Sequence, residues 1–173
     1  MSNDFRFVSD IVGSLREFKQ LISSNIFNDS QNPFFKSALI HLLIISRDLT
    51  HKSYLKGKTI DFTDDVIITN KVPNVTFLIK YARDAVCHVD SNNHVLSKEN
   101  NIIFSYNVML GKGSLAQIGD LTLSSDYEDD ICIFFGKQKI YLVRHIIRAV
   151  QEAEIYLKEY YRDSEYHFFL TDI

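Results

Sequence analysis

The amino-terminal half of the chain has the hydrophobic periodicity of α-helices. From about Asp4 to Phe27, apolar residues recur every three or four positions with Lys and Glu between them, which predicts an amphipathic first helix. A second helix is predicted from about Pro33 to Leu55, and because it is apolar around nearly its whole circumference we expect it to be the most buried. Residues 56–72 mix Gly, Asp and β-branched residues, which predicts a loop with room for a short strand.

A third amphipathic helix is predicted to begin near Pro73 and Asn74. Its apolar positions follow helical spacing along one face. These positions are Val75, Leu78, Ile79, Ala82, Val86 and Val89. The segment VDSNNH at 89–94 is expected to end this helix, because Asp, Ser and Asn side chains compete for the backbone hydrogen bonds.

Beyond residue 100 the period of the pattern changes to two, which predicts β-strands. A first strand is predicted near 102–108, GKGS at 111–114 predicts a turn, and a second strand is predicted near 115–123. The segments ICIFF and IYLV flank the turn GKQK, which predicts a hairpin. The alternating apolar residues of the first strand are Ile102, Phe104, Tyr106 and Val108.

A last long helix is predicted from about Val143 to Tyr161, followed by an aromatic ending expected to pack against the core or a second subunit. The predicted buried face is Val143, Ile146, Ile147, Val150, Ala153 and Leu157. The predicted outer face is Arg144, His145, Arg148, Glu152, Lys158 and Glu159. The fold class predicted is therefore α+β and mainly α: a single domain over 1–173, a helical bundle with an antiparallel β insertion at about 101–142.

Composition excludes only a few classes of function. The 173 residues carry a formal charge of −3, so a nucleic-acid site would have to be a local basic patch. No apolar run approaches the roughly 20 residues that span a bilayer, and we expect a cytoplasmic protein without a membrane segment. Cys87 and Cys132 match no metal-binding spacing and are expected to be reduced, buried thiols, so we expect no metal and no cofactor. The acidic segment around Asp130 is interpreted as a solvated turn.

The stretch YARDAVCHVD places Arg83, Asp84 and His88 at the end of the third predicted helix. Asp84 and His88 are four residues apart and can form a surface ion pair. Arg83 and His88 point about 140° apart on an unbroken helix. They can act together only if the helix breaks between them or if two copies face each other across a two-fold axis.

The segment RDAVCH resembles the arginine–histidine motif of the HEPN domains (higher eukaryotes and prokaryotes nucleotide-binding), in which four to six residues separate the two and a polar residue commonly follows the arginine. The resemblance implies an α-helical, often dimeric protein that cleaves RNA without metal, as in toxin–antitoxin and phage-defence systems. It implies that Arg83 holds the scissile phosphate, His88 transfers the proton and Asp84 orients one of them. It also implies a homodimer, an RNA substrate and a protein partner such as an antitoxin.

Other residues and other functions stay open at this point. Arg47 and His51 share one face of the second predicted helix, and Arg144 and Arg148 lie one turn apart on the last; each pair is either a phosphate-binding surface or a set of ordinary solvated charges. The alternatives to an enzyme are a non-catalytic interaction module that uses the aromatic ending, and a module that binds nucleotides or RNA without turnover. The residues of that ending singled out for an interaction surface are Tyr166, Phe168 and Phe169.

Overall fold

The computed structural model describes residues 3–88, 90–97, 99 and 101–171. It is an α+β structure with 51% helix and 19% strand, in which helices come first, small antiparallel sheets follow, and a long helical segment covers 142–160. This order confirms the predicted fold class. None of the helices within the described residues is long and apolar enough to cross a membrane. Val89, predicted to belong to the third helix, lies outside the described residues.

The chain forms two compact units, one of residues 1–61 with 149–173 and one of residues 62–148. The expectation of a single domain stays a prediction. The bounds predicted for the three long helical segments agree with the structure to within a few residues, and within its described residues the regular secondary structure of the first unit consists of helices. They are α1 (Asn3–Ser23), a 3-10 helix (Ile26–Asn28), α2 (Phe35–Leu55), α4 (Arg148–Tyr160, with Arg148 itself in the second unit) and α5 (His167–Thr171).

The core of the first unit lies between α1 and α2. Ile11 and Leu15 of α1 and Leu42 of α2 are completely buried, which is the role that their spacing predicts. The second helix buries eleven residues but leaves Ile44 and Leu55 about half exposed, at 47% and 57%. Eleven is nevertheless more buried residues than any other helix has among the described residues, which confirms the expectation that α2 is the most buried helix.

The aromatic ending packs against α1, as one of its two predicted placements. The Phe5 ring meets the Phe169 ring edge to face with centroids 6.1 Å apart, and it lies 6.4 Å from Tyr166. Leu170 is completely buried, so α5 has an inward side. Phe168 points the other way and is 68% exposed.

Within its described residues, the second unit contains one α-helix, three small antiparallel sheets and a π-helix. The α-helix is α3 (Val75–Cys87), and a 3-10 helix (Asn92–His94) follows it. The strands are β1 (Val95–Ser97), β2 (Ile102–Ile103), β3 (Asn107–Leu110), β4 (Gly113–Ile118), β5 (Leu121–Ser125), β6 (Ile131–Phe135) and β7 (Gln138–Tyr141). They pair as β1-β2, β3-β6-β7 and β4-β5.

Two of the predicted strands are divided in the structure. The pattern over 102–108 belongs to β2 and β3, which lie in different sheets, so the expectation of one strand there is wrong. The single strand predicted at 115–123 is a hairpin, because Gly119 adopts a φ of 59° and reverses the chain between β4 and β5. The hairpin predicted around Gly136 is confirmed as β6 and β7. Residues 56–72 form a loop with one isolated bridge, from Thr69 to Val72.

The last long helical segment begins with a π-helix, Leu142–Ile147, rather than with an α-helix. The wider π turn changes which side chains face inward. Val143, predicted to be buried, is 43% exposed, whereas His145, predicted on the outer face, is completely buried. The predictions for Ile146 and Val150 hold, since both are buried.

The Asp130 carboxylate caps the start of this π-helix. Oδ1 accepts from the backbone N–H groups of Ile131 and Val143 at 2.7 and 2.9 Å, and Oδ2 accepts from the backbone N–H and the guanidinium of Arg144 at 3.0 and 3.1 Å. The side chain is completely buried. The interpretation of Asp130 as part of a solvated turn is therefore wrong, because its four hydrogen bonds replace those that water would make.

Asp130→Ala is predicted to lower the free energy of unfolding by roughly 3–5 kcal/mol, since it removes the acceptor of three partly buried backbone N–H groups and leaves the Arg144 guanidinium with the exposed Asp129 alone among the described carboxylates. Asp129→Ala is the matched control. Asp129 is its neighbour, is 76% exposed and bonds only Arg144 among the described residues, so its loss should cost less than about 1 kcal/mol. Urea denaturation followed by circular dichroism measures both changes, and equal effects would contradict the capping role.

Candidate functional site

The candidate site lies at the carboxyl end of α3. The helix begins at Val75, where the side chain of Asn74 accepts from the N–H of Phe77 at 3.2 Å, and it ends at Cys87. The inward face is buried as predicted, with Leu78 and Ala82 completely enclosed. This packing fixes the opposite face of the helix and its polar side chains.

Arg83 and Asp84 contact each other although they are adjacent in the chain. Arg83 Nε donates to Asp84 Oδ1 at 3.0 Å, and Nη2 donates to the same oxygen. Both side chains are about one-third exposed. Asp84 thus limits the orientations of the guanidinium while leaving part of it accessible.

His88 is the residue that caps α3. Its backbone is extended, with φ −121° and ψ 107°, and its N–H donates to the carbonyl of Asp84 at 3.2 Å. The side chain is exposed. The imidazole makes no hydrogen bond to any part of the chain that the structure describes, so the predicted ion pair with Asp84 is not formed there. The helix continues without a break from Arg83 to Cys87 and ends only at His88, so the other condition for their joint action, a pairing of two copies, stays a prediction.

A cleft of about 280 Å³ opens beside this helix end. Its walls come from three segments: the loop before α3, the outer face of α3 and the 3-10 helix after it. The lining residues are Asn70, Lys71, Phe77, Lys80, Tyr81, Asp84 and Asn93. Asp84 therefore belongs both to this cleft and to the ion pair with Arg83.

The cleft is not among the predicted features, although the sequence contains one signal for it. Phe77, Lys80, Tyr81 and Asp84 recur at positions i, i+3, i+4 and i+7, which places them on a single face of the helix. That face combines two rings with charges of both signs. The residues from the flanking segments share no periodicity with it, and only the fold brings them to the same place.

Arg144 and Arg148 are engaged by aspartates. Arg144 bonds Asp129 at 2.9 Å and Asp130 at 3.1 Å, and its guanidinium lies 3.6 Å from the centre of the Tyr127 ring. Arg148 bonds Asp64 at 3.0 Å. Each guanidinium thus stabilises the second unit, and neither presents an unopposed positive charge for a phosphate.

Arg47 and His51 belong to α2, in the first unit, and are described apart from the α3 residues. His51 is exposed and its ring stacks on Tyr54, with centroids 6.0 Å apart and planes 17° apart. Arg47 is partly buried. The nearby cation Lys52 is held by Asp48 at 2.5 Å. A phosphate-binding role for Arg47 and His51 stays a prediction.

The cysteines and the acidic side chains offer no second site. Both thiols are free, but only Cys132 is buried, so the expectation of a buried thiol is wrong for Cys87, which is exposed. Burial raises the pKa of Cys132 to about 12, which keeps that thiol protonated and inert. No group of three or more His, Cys, Asp or Glu side chains within the described ranges is placed to hold a metal ion.

His145 is a buried histidine with a structural position. Nδ1 accepts from the N–H of Tyr141 at 3.1 Å, and Nε2 is 2.9 Å from the carbonyl oxygen of Asp64. Because Nδ1 is the acceptor, Nε2 carries the hydrogen and donates it. Burial lowers the pKa of His145 below its ordinary value, opposed by the Asp64 carbonyl and by the charges of Asp65 and Asp130.

This lowered pKa makes stability depend on pH in one direction. The unfolded chain binds a proton at His145 near pH 6.5, whereas the folded chain resists it. The free energy of unfolding is therefore expected to fall as the pH is lowered from about 7.5 to about 5. His145→Gln, which keeps a neutral donor and acceptor, should reduce that fall. Urea denaturation at both pH values measures it, and an unchanged difference would contradict the assignment.

Comparisons of this chain with protein-family models, with curated proteins and with solved structures give no match. The resemblance of Arg83–His88 to the HEPN motif therefore stays a prediction. The function is therefore inferred from the geometry of the α3 end and of the cleft beside it.

Proposed function

We propose that this chain is a HEPN-like RNA-binding protein that cleaves RNA without a metal ion, with Arg83 and His88 as the catalytic residues. One observation carries the proposal. The end of α3 holds a partly exposed guanidinium oriented by Asp84 and, five positions on, an exposed imidazole with no hydrogen-bond partner among the described residues. These are the two groups that metal-free RNA cleavage requires.

In the proposed reaction, the ribose 2′-hydroxyl attacks the adjacent phosphorus and the 5′-oxygen of the next nucleotide leaves. An imidazole accepts the hydroxyl proton, and an imidazolium donates a proton to the leaving oxygen. The Arg83 guanidinium stabilises the negative charge that develops on the phosphate. DNA lacks the 2′-hydroxyl and cannot be cut in this way.

The proposal includes a homodimer as the form that completes the site. Arg83 and His88 are joined by unbroken helix, and a two-fold axis beside this end would bring the same groups of a second copy to one phosphate. Two arginines and two histidines would then surround the reacting group. A protein partner such as an antitoxin would act by covering this end of the helix.

Arg83→Ala and His88→Ala are each predicted to lower the rate of RNA cleavage by about 100-fold or more, since each removes a group that acts in the transition state. The measurement uses a fluorescent single-stranded RNA in the presence of EDTA, with DNA of the same sequence as the uncut substrate. Arg162→Ala and His41→Ala are the controls, because both side chains are exposed and engage only surface carboxylates among the described residues. Wild-type protein that leaves RNA intact, or variants that cut at the wild-type rate, would refute the proposal.

Mixing the two inactive variants tests the homodimer. If two copies share the site, a mixed pair keeps one Arg83 and one His88, and an equal mixture should regain up to about half of the wild-type rate. Each variant alone stays inactive. A mixture no faster than its components would contradict a site in which one Arg83 and one His88 from different copies suffice for cleavage.

One observation favours a binding function without cleavage as the second candidate. The Arg83 guanidinium and the Asp84 carboxylate already form an ion pair, so the positive charge of Arg83 is neutralised when no RNA is bound. In that case the wild-type protein binds labelled RNA but releases it uncut after prolonged incubation. The cleavage assay with intact product analysed by electrophoresis separates the two candidates.

A further inference from the structure

The cleft beside α3 has features of a nucleotide-binding site that are independent of Arg83 and His88. Lys71 and Lys80 line it, both exposed, and neither ammonium group bonds a carboxylate among the described residues. The remaining charge in its lining, on Asp84, is opposed by Arg83. The cleft is therefore locally cationic although the whole chain carries a charge of −3.

An aromatic ring and two amides accompany the lysines. Phe77 is 43% exposed, so one part of its ring is accessible for stacking. Asn70 is exposed, and its amide makes no hydrogen bond within the described parts of the chain, so it can donate and accept. These groups match the needs of a planar base, which has a π-face and a polar edge.

The rest of the lining is held in place by hydrogen bonds. Tyr81 Oη donates to the carbonyl of Asn93 at 2.9 Å, and Asn93 Nδ2 donates to the carbonyl of Tyr81 at 3.2 Å. Burial raises the pKa of Tyr81, which keeps its hydroxyl protonated as the donor. The bridge from Thr69 to Val72 closes the turn that carries Lys71. Hydrogen bonds thus hold both the turn before α3 and the 3-10 helix after it. The cleft is preformed, which lowers the entropic cost of binding.

We propose that this cleft binds one nucleotide of a single-stranded nucleic acid, with its base stacked on Phe77 and its phosphate between Lys71 and Lys80. A volume of about 280 Å³ lies at the small end of ligand pockets and suits one nucleotide unit. Because Asp84 is common to the cleft and to the Arg83 pair, a strand that leaves the cleft passes directly to Arg83. In this respect the inference rests on the proposed function and makes the cleft the place of the nucleotide next to the cleaved bond.

The test measures binding rather than cleavage. A fluorescent single-stranded oligodeoxynucleotide is used as the probe, since it offers bases and phosphates but cannot be cut. The double variant Lys71→Ala/Lys80→Ala is expected to bind it at least about 10-fold more weakly and to lower the slope of log affinity against log salt by about 0.7, which corresponds to one single-strand phosphate contact. Phe77→Ala is expected to bind about 5- to 100-fold more weakly with the same salt slope as the wild type, because stacking releases no counterions.

Two control variants match these changes elsewhere in the chain. Lys112→Ala removes an exposed lysine from the turn between β3 and β4, and Phe34→Ala removes an exposed ring from the residue just before α2. Both should bind the probe as the wild type does. Cleft variants that bind like these controls would overturn the inference, as would a Phe77 variant whose salt slope falls as much as that of the lysine variant.

Competition with a mononucleotide distinguishes the source of the ligand. A nucleotide within a strand predicts that a free nucleoside monophosphate competes at least about 10-fold more weakly than the oligonucleotide, because it lacks the flanking phosphates. Equal competition would overturn the strand-linked site in favour of a free nucleotide. Loss of oligodeoxynucleotide binding in the cleft variants of a protein that cuts no RNA would support the cleft and refute the proposed enzyme. RNA cleavage with unchanged probe binding in those variants would do the reverse.

Discussion

The arrangement of the second unit depends on one buried carboxylate. Burying an ionised Asp130 is costly unless its lone pairs are satisfied, and the protein supplies four donors from the start of β6 and the first turn of the π-helix. The same bonds satisfy N–H groups that a helix start leaves without partners. A single side chain therefore fixes where β6 begins with respect to the π-helix. It also sets the phase of the helix, that is, which of its side chains face inward.

That phase explains which residues of the last long helical segment could be predicted. Val150, Ala153 and Leu157 follow the regular period of α4 and are buried as expected, and Ile146 of the π-helix is buried as well. Val143 and His145 lie within the π-helix, where the turn is wider than 3.6 residues, and their sides are exchanged. Nothing in the residue types indicates a π turn, and the carboxylate that caps its start lies twelve or more positions earlier in the chain.

In the candidate site, too, some features could be predicted from the sequence and others could not. The apolar face of α3 and the residue types at its end follow from local spacing, so Arg83, Asp84 and His88 could be chosen from the sequence. Their contacts could not, since the guanidinium of Arg83 bonds the adjacent carboxylate and leaves the imidazole of His88 without a described partner. The cleft was even harder to predict from the sequence. Asn93 reaches it through hydrogen bonds with Tyr81 across twelve positions, and no periodicity joins a loop, a helix face and a 3-10 helix.

The engagement of each positive charge then separates structural groups from groups able to meet a phosphate. An anion at Arg144 would have to displace a carboxylate that is completely buried, which is strongly unfavourable. At Lys71 and Lys80, by contrast, a phosphate would displace no carboxylate of the described residues. Arg83 is intermediate, because its partner Asp84 is partly exposed and such a pair is worth no more than about 1 kcal/mol. A phosphate can replace this carboxylate at small cost, and until it does the carboxylate keeps the guanidinium at the edge of the cleft.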